Sequence, residues 1–302
     1  MNRREFLGTA AAGAAAVGAA GVLMTSNIAQ AKGKFNLRYA VNLGWMSKDW
    51  SIEQRLDYVA ENGFDAVEWN PLMSQMTLKE AENYRKMIDA RGIEHGIFVV
   101  NREGLGQEIQ SPEWQGKFLE DVRKARQYSD IIGNKSATIV AGPELYKVSR
   151  WVQLQKIIDL YKRAGDELAG SHLTLVLEPL NLLVNHPGYL VAESGEAWLM
   201  MKSIGNPHIK ILFDMYHQQI TEGNLVNNIR DYYDEIGYFQ IGDNPGRQEP
   251  GTGEVNWKHP FKAIYDLGYK GLLGMEHGLS GGNSKAGIDK CFDTYREFDK
   301  FL

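Results

Sequence analysis

Cysteine is almost absent from this chain, and that scarcity limits what can hold the fold together. Cys291 is the only cysteine among 302 residues, so no internal disulfide can form. The residue falls within a late helical pattern, which indicates a packed thiol rather than a nucleophile. The stability of the fold must therefore come from its apolar core, and a hydrophobic content of 43% is sufficient for that.

An excess of positive charge and a long apolar run are also missing. Lys and Arg number 33 against 38 Asp and Glu, a net charge of −5, so no basic field attracts nucleic acid or anionic lipid. The Ala- and Gly-rich run at 9–24 is too short and too weakly apolar for a span of about 20 residues. We therefore expect no nucleic-acid partner and no stable membrane span.

The N-terminus carries the pattern of an export signal. Arg3 and Arg4 form a twin-arginine pair, an Ala- and Gly-rich run follows, and Ala29-Gln30-Ala31 offers a small-x-small cleavage site. The alternative is a single membrane anchor, which the weak apolar run disfavours. The sequence thus predicts a cleaved signal peptide at 1–31, passage through the twin-arginine translocase and a periplasmic location. The remainder, 32–302, is predicted to be one domain.

Strand-like and helix-like segments alternate through that domain. The predicted strands are 37–43, 66–69, 95–100, 136–141, 173–179, 209–214, 238–241 and 272–276. The predicted helices are 51–62, 78–91, 113–132, 151–169, 194–203, 224–236, 257–267 and 285–301. Repeated βα units without a hairpin signal favour an α/β fold, a single-domain (β/α)8 TIM barrel, of roughly 250 residues. An open doubly wound sheet is the alternative, but the segment after the first strand lacks its glycine fingerprint.

Four of the predicted strands end in an oxygen-bearing side chain. Glu178, Asp214, Gln240 and Glu276 each close an apolar run, as residues at the mouth of a barrel enzyme do. Because these ligands are all oxygens, they indicate one divalent metal ion, Mg²⁺ or Mn²⁺, rather than zinc. The alternative is that these groups cap helices or pair with Arg and Lys.

Three further residues are predicted to face the same mouth. His217 lies three residues after Asp214 and can donate to a substrate oxygen as a neutral imidazole, although a surface position remains open. Arg247 can either pair with a substrate or brace its loop against Asp243 or Glu249. Glu68 closes the second strand and is predicted to contact substrate.

The segments LVLEPLN (175–181), FDMYHQQ (213–219), FQIGDNPGRQEPGTGEVNW (239–257) and GYKGLLGMEH (268–277) resemble one enzyme family. Together they resemble the hydroxypyruvate isomerase group of the xylose isomerase-like TIM barrels, and the likeness extends over the mature chain. The resemblance implies that the four strand-end positions hold a divalent ion and that Glu178 and Glu276 are the catalytic acid/base pair. It also implies that His217 and Arg247 contact substrate oxygens.

These residues predict proton transfer between neighbouring carbons of a small sugar or hydroxy-keto acid, through an enediolate. Isomerisation of hydroxypyruvate, tartronate semialdehyde or a ketose is the preferred reaction. A sugar 3-epimerase, a metal-dependent dehydratase or lyase, and an exported sugar-binding protein without turnover remain alternatives. An oligomer is possible, because Trp151, Tyr232 and Tyr233 can form a dimer face or pack on the barrel.

Overall fold

The computed structural model describes residues 35–101 and 108–302. The predicted signal peptide and its cleavage site lie outside the described residues, so the expected boundary at residue 31 stays a prediction. In the part of the chain that is described, no helix combines the length and the apolar character that crossing a bilayer requires.

Eight parallel strands form one curled sheet. They are β1 (Tyr39–Asn42), β2 (Ala66–Glu68), β3 (Glu94–His95), β4 (Ser136–Ile139), β5 (Thr174–Leu177), β6 (Ile209–Asp214), β7 (Ile236–Gln240) and β8 (Leu273–Gly274). Their order, β3-β2-β1-β8-β7-β6-β5-β4, places β3 and β4 at the two ends of the sheet. Beyond β3, the amide of Val100 donates to Thr138 (2.9 Å) and the amide of Thr138 donates to Phe98 (2.8 Å), which closes the barrel. The predicted TIM barrel is confirmed.

Helices cover the outside of the sheet. They are α1 (Ile52–Glu61), α2 (Leu72–Gln75), α3 (Leu78–Asp89), α4 (Pro112–Ile132), α5 (Arg150–Glu167), α6 (Ser194–Ile204), α7 (Met215–Thr221), α8 (Leu225–Tyr232), α9 (Lys258–Asp266) and α10 (Lys285–Phe298). Ser51 and Thr77 start α1 and α3 with reciprocal capping boxes. The sequence pattern does not predict the short helices α2 and α7, since four and seven residues are too few to show a helical period.

The last helix is tied to the first strand. The Asp299 carboxylate, just after α10, accepts hydrogen bonds from the amides of Asn36 (2.6 Å) and Leu37 (3.2 Å) and from the Tyr39 hydroxyl (2.8 Å). Cys291, on the same helix, is wholly buried, so the predicted packed thiol is confirmed. Of the aromatic residues considered for a dimer face, Trp151 is 80% exposed, whereas Tyr232 packs against Trp198.

Candidate functional site

The side chains that point into the barrel follow the two-residue period of a strand. A separate apolar cluster fills the barrel interior, and it consists of Ala40, Ala66, Ile97, Val176, Leu212, Tyr238 and Leu272. Their strand neighbours, such as Val41, Leu175 and Phe213, belong to the larger core under the helices instead. One inward layer therefore supports whatever lies above it, towards the carboxyl ends of the strands.

The next inward layer is polar. Counting two residues onward from the apolar cluster gives Asn42, Glu68, Val99, Glu178, Asp214, Gln240 and Gly274, of which five are polar, and Glu276 comes two residues later again. Glu68, Asp214 and Gln240 are at most 1% exposed, and Glu178 is 9% exposed. Because parallel strands end at the same rim, these polar groups share the C-terminal mouth of the barrel, where TIM-barrel active sites lie.

Glu178, Asp214 and His217 lie closest together. In the described part of the chain they form the one group of three His, Cys, Asp or Glu residues whose ligand atoms all lie within 4.8 Å of one another. The Nε2 atom of His217 is 3.5 Å from Glu178 Oε1 and 3.5 Å from Asp214 Oδ2. The helix α7 starts directly at Asp214, which accepts a hydrogen bond from the Tyr216 amide (2.8 Å) and so acts as its N-cap.

The hydrogen bonds of His217 determine which ring nitrogen faces the site. Its Nδ1 atom accepts from the backbone amide of Asn181 (3.3 Å) and lies 2.6 Å from the Asn181 side-chain nitrogen. Burial, with a contribution from Arg247, lowers the pKa of His217 to about 2, so the ring is neutral. The proton of a neutral ring whose Nδ1 accepts must be on Nε2. His217 therefore offers the site an N–H donor rather than a lone pair for a metal ion.

Arg247 reaches the carboxylates and not the acidic residues of its own loop. Its Nη2 atom donates to Glu276 Oε2 (2.8 Å) and lies 3.4 Å from Asp214 Oδ2, and the guanidinium lies over the Tyr216 ring. Asp243 instead accepts from the amides of Gly251 and Val255 within the loop. Of the two roles left open by the sequence, the structure places Arg247 at the site.

The electrostatics of the site favour a bound cation. Burial raises the pKa of Glu178 well above its usual range, and the charges of Glu276 and Asp214 add to the shift. Burial likewise raises the pKa of Asp214 to about 7, although Arg247 opposes the change. Burial alone would lower the pKa of Arg247, but the carboxylates of Glu276, Asp214 and Glu178 raise it. A bound cation would add a second positive charge beside Arg247 and so offset the repulsion among the carboxylates.

The side chain of Gln240 gives a separate indication that the site suits a hard cation. Its Oε1 atom is buried and has no hydrogen-bond partner among the described residues. A buried unpaired carbonyl oxygen costs about 1–3 kcal/mol unless something at the site satisfies it. Together with the oxygens of Glu178, Asp214 and Glu276, it makes a donor set of the type that Mg²⁺ and Mn²⁺ prefer.

Glu68 lies below the mouth rather than at its surface. The side chain is wholly buried, and its carboxyl group accepts from Asn42 Nδ2 (3.1 Å) and the Tyr238 hydroxyl (3.3 Å). Burial raises the pKa of Glu68 well above its usual range, the Glu276 charge adds to this, and a hydrogen bond from Gln240 is among the contacts that lower it. The predicted contact of Glu68 with substrate stays a prediction, and in this structure its carboxyl group is paired with Asn42 and Tyr238.

Two residues that the sequence pattern does not indicate also lie at the site. Asn70 donates to Glu276 Oε1 (2.6 Å), and Asn181 sets the tautomer of His217. His277, by contrast, is held away from the mouth, since its Nδ1 atom contacts the Gly278 carbonyl (2.6 Å) and its Nε2 atom contacts the Tyr295 hydroxyl (2.8 Å). A continued count of two along β2, from Ala66 through Glu68, would have found Asn70.

Comparison with known proteins relates this chain to one family. The family model described as xylose isomerase-like TIM barrel matches residues 56–296, which is most of the chain. A crystal structure of an AP endonuclease of family 2 from Brucella melitensis superposes with a TM-score of 0.75 at 25% identity, and the alignment covers 83% of this chain and 96% of that one.

Two curated relatives are similar along nearly their whole length. The hydroxypyruvate isomerase of Escherichia coli K12 is 27% identical over 267 residues, which is 86% of this chain and 100% of that protein. The 2-oxo-tetronate isomerase of Cupriavidus necator is 28% identical over 254 residues, which is 82% of this chain and 95% of that protein. Both of these relatives are isomerases that act on small oxo acids.

Proposed function

Because the chain belongs to the xylose isomerase-like TIM barrel family, we propose that it is a metal-dependent isomerase of a small hydroxy-carbonyl acid. The observation that carries this proposal is the meeting of Glu178, Asp214, Gln240 and Glu276 at one end of the barrel. Among these four, Gln240 has a buried oxygen with no partner among the described residues. The isomerase names of the relatives from Escherichia coli and Cupriavidus necator support the same class of reaction.

The proposed ligands are Glu178, Asp214, Gln240 and Glu276, and the proposed ion is Mg²⁺ or Mn²⁺. Three carboxylates, Arg247 and one divalent ion sum to a neutral site, so no second ion is needed. When bound, such an ion acts as a Lewis acid that favours loss of a proton next to a carbonyl group. His217 is not among the proposed ligands, because its Nε2 carries the proton.

The protein side chains then account for the proton transfers. One of the two glutamates, Glu178 or Glu276, removes the proton from the hydroxyl-bearing carbon, and the other returns a proton to the neighbouring carbonyl carbon. For hydroxypyruvate, C3 loses a proton and C2 gains one, while the proton of the C3 hydroxyl passes to the C2 oxygen, which yields tartronate semialdehyde. His217 Nε2–H donates to a substrate oxygen and stabilises the enediolate between the two steps. Arg247 can hold a substrate carboxylate in a bidentate pair.

The structure bears on the alternative reactions. A dehydratase needs a general acid directed at the leaving hydroxyl. His277 does not fit that role, since both of its ring nitrogens have partners in Gly278 and Tyr295. An epimerase would use the same two glutamates on one carbon, so substrate turnover must separate it from an isomerase. A binding protein without turnover would gain nothing from the paired glutamates.

Deuterium exchange tests the proposal. The metal-free protein would be given Mg²⁺ or Mn²⁺ in D2O with hydroxypyruvate or 2-oxo-tetronate and followed by NMR. We expect metal-dependent deuterium uptake next to the carbonyl group and formation of the isomerised product. Glu276→Gln should lower kcat by roughly 10²–10⁴-fold, the usual contribution of a general acid or base. Glu61→Gln, a change of the same kind on an exposed position, is the control.

Two results would contradict this assignment. A wild-type rate in Glu276→Gln would remove that residue from proton transfer. Exchange that proceeds equally well with excess chelator would remove the metal from the reaction.

We also propose that the protein is exported to the periplasm by the twin-arginine translocase. The support is the Arg3-Arg4 pair and the cleavage pattern that ends at Ala31. Replacing both arginines by lysine should keep the full-length protein in the cytoplasm in cell fractionation. Processing of that variant at the wild-type rate would refute this route of export.

A further inference from the structure

Asn70 holds one oxygen of the Glu276 carboxylate. Its Nδ2 atom donates to Glu276 Oε1 (2.6 Å), while Arg247 donates to Oε2 (2.8 Å). Each carboxylate oxygen thus has one donor, on opposite sides of the group. Glu276 comes two residues after the last residue of β8. The position of its carboxylate is therefore fixed by these two hydrogen bonds rather than by strand pairing.

The other end of the Asn70 amide is unpaired. Its Oδ1 atom is buried and has no hydrogen-bond partner among the described residues. A flipped amide would bring that oxygen against the Glu276 carboxylate, so the hydrogen bond to Glu276 fixes the orientation. The main chain is fixed as well, since the Asn70 carbonyl accepts from the Val99 amide (3.0 Å). A buried acceptor is therefore held rigidly beside the proposed acid/base group.

An acceptor in this place selects for a donor on the substrate. The neighbouring Glu276 Oε1 atom already accepts from the Asn70 amide nitrogen and leaves Oδ1 without a donor, which a substrate hydroxyl group can supply. In the proposed function, the metal ion and His217 would account for the two reacting oxygens of the substrate. The hydroxyl group that meets Asn70 must then belong to a carbon beyond the reacting pair.

We propose that Asn70 contacts the substrate and positions Glu276, and that its Oδ1 atom accepts a hydrogen bond from a hydroxyl beyond the two reacting carbons. The inference rests on the proposed isomerase function and deepens it. It assigns the site to hydroxylated oxo acids longer than hydroxypyruvate, of which 2-oxo-tetronate, with one more hydroxyl-bearing carbon, is the simplest. Hydroxypyruvate has no such hydroxyl and leaves Asn70 unpaired.

A substrate pair isolates the hydroxyl contact. The pair is 2-oxo-tetronate and 3-hydroxy-2-oxobutanoate, which differ only in the terminal hydroxyl group. In the wild-type enzyme, kcat/KM should be roughly 5- to 150-fold higher for 2-oxo-tetronate, the range set by leaving a buried acceptor unpaired. Asn70→Ala should remove most of this ratio. Asn227→Ala, at an exposed asparagine on α8, is the matched control and should keep it.

A titration with Mn²⁺ in the absence of substrate tests the positioning role separately. Loss of an outer contact to a metal ligand typically weakens affinity 10- to 100-fold. We expect that weakening in Asn70→Ala and an unchanged dissociation constant in Asn227→Ala. Circular dichroism and thermal unfolding would confirm that both variants fold.

The outcomes separate this inference from the proposed function. If the wild-type enzyme isomerises both compounds and Asn70→Ala keeps the ratio, the hydroxyl contact is wrong while the isomerase proposal stands. If Asn70→Ala also binds Mn²⁺ as tightly as wild type, the positioning role is wrong. If the wild-type enzyme exchanges no deuterium with any compound, the proposed function fails and the substrate contact fails with it.

Discussion

Gly274 leaves the space that Glu68 and Gln240 occupy, so its substitution by alanine should disturb the floor of the site. A Cβ atom at Gly274 would lie 2.0 Å from Glu68 Oε2, 2.7 Å from its Cδ and 3.1 Å from Gln240 Cγ. Real Cβ atoms essentially never show the first two separations, and Glu68 is wholly buried. The variant must therefore displace the carboxyl group, the strand or both.

The expected loss of stability follows from the contacts. Overpacking a core costs about 1–3 kcal/mol. Displacing Glu68 from Asn42 and Tyr238 loses two hydrogen bonds at about 1 kcal/mol each. The free energy of unfolding of Gly274→Ala should thus fall by about 3–5 kcal/mol, measured by urea denaturation. The affinity for Mn²⁺ should fall as well, because Gln240 is pushed from its position.

Gly116 provides the matched control. It lies inside α4, and a Cβ atom there would meet nothing within 4 Å. Gly116→Ala should raise the free energy of unfolding by about 0.5–1 kcal/mol, since alanine is the better helix former. The same chemical change is therefore expected to have opposite signs at the two positions.

A double variant tests the cause of the loss. Glu68→Ala alone leaves the Asn42 and Tyr238 donors unpaired, but it also removes the atoms that an alanine at 274 would strike. Combined with Gly274→Ala, it should be more stable than the sum of the single changes by about 1–3 kcal/mol. Additive effects, or a Gly274→Ala variant within 0.5 kcal/mol of wild type, would refute the reasoning.

Two further predictions concern a buried histidine and the site arginine. Burial lowers the pKa of His95 to about 4 in the fold, against about 6.5 when unfolded. Below pH 6.5 only the unfolded chain gains this proton, so stability should fall down to about pH 4 by at most roughly 3 kcal/mol. Urea denaturation of His95→Gln should show a shallower fall, and an unchanged slope would contradict the assignment. Arg247→Met removes the cation beside Asp214 and Glu276, so calorimetry should find about tenfold tighter Mn²⁺ binding without substrate. Weaker binding would show instead that the guanidinium orders the ligands.

Sequence periodicity predicted the barrel because each buried strand is a short apolar run between amphipathic helices. It also placed Glu178, Asp214 and Gln240 at the carboxyl ends of their strands, since each is the first polar residue after such a run. The sequence pattern did not indicate Asn70, because this residue follows Trp69 beyond the end of β2, where apolar alternation has already stopped. The two-residue alternation of inward-pointing side chains continues to Asn70, although the strand itself ends at Glu68.

The roles of the histidines needed three-dimensional contacts. His217 and His277 each follow a predicted ligand closely in the sequence, and nothing in the local pattern distinguishes them. The difference comes from partners that are remote in sequence. Asn181 leaves His217 with an N–H facing the mouth, whereas Tyr295 and Gly278 take both nitrogens of His277. Likewise, only the packing against Tyr238 and Gly274 shows how deep Glu68 lies.

The contacts of Asp299 with Asn36 and Leu37 bring the two ends of the barrel domain next to each other. The first and last described elements meet at the face opposite the mouth, where hydrogen bonds of 2.6 and 3.2 Å join them. A short linker that joined them would allow the chain to be opened at an exposed βα loop without removing any strand pair. Such a circular permutant would keep the order of strands around the barrel and the polar groups at its mouth, because a closed ring has no required starting point.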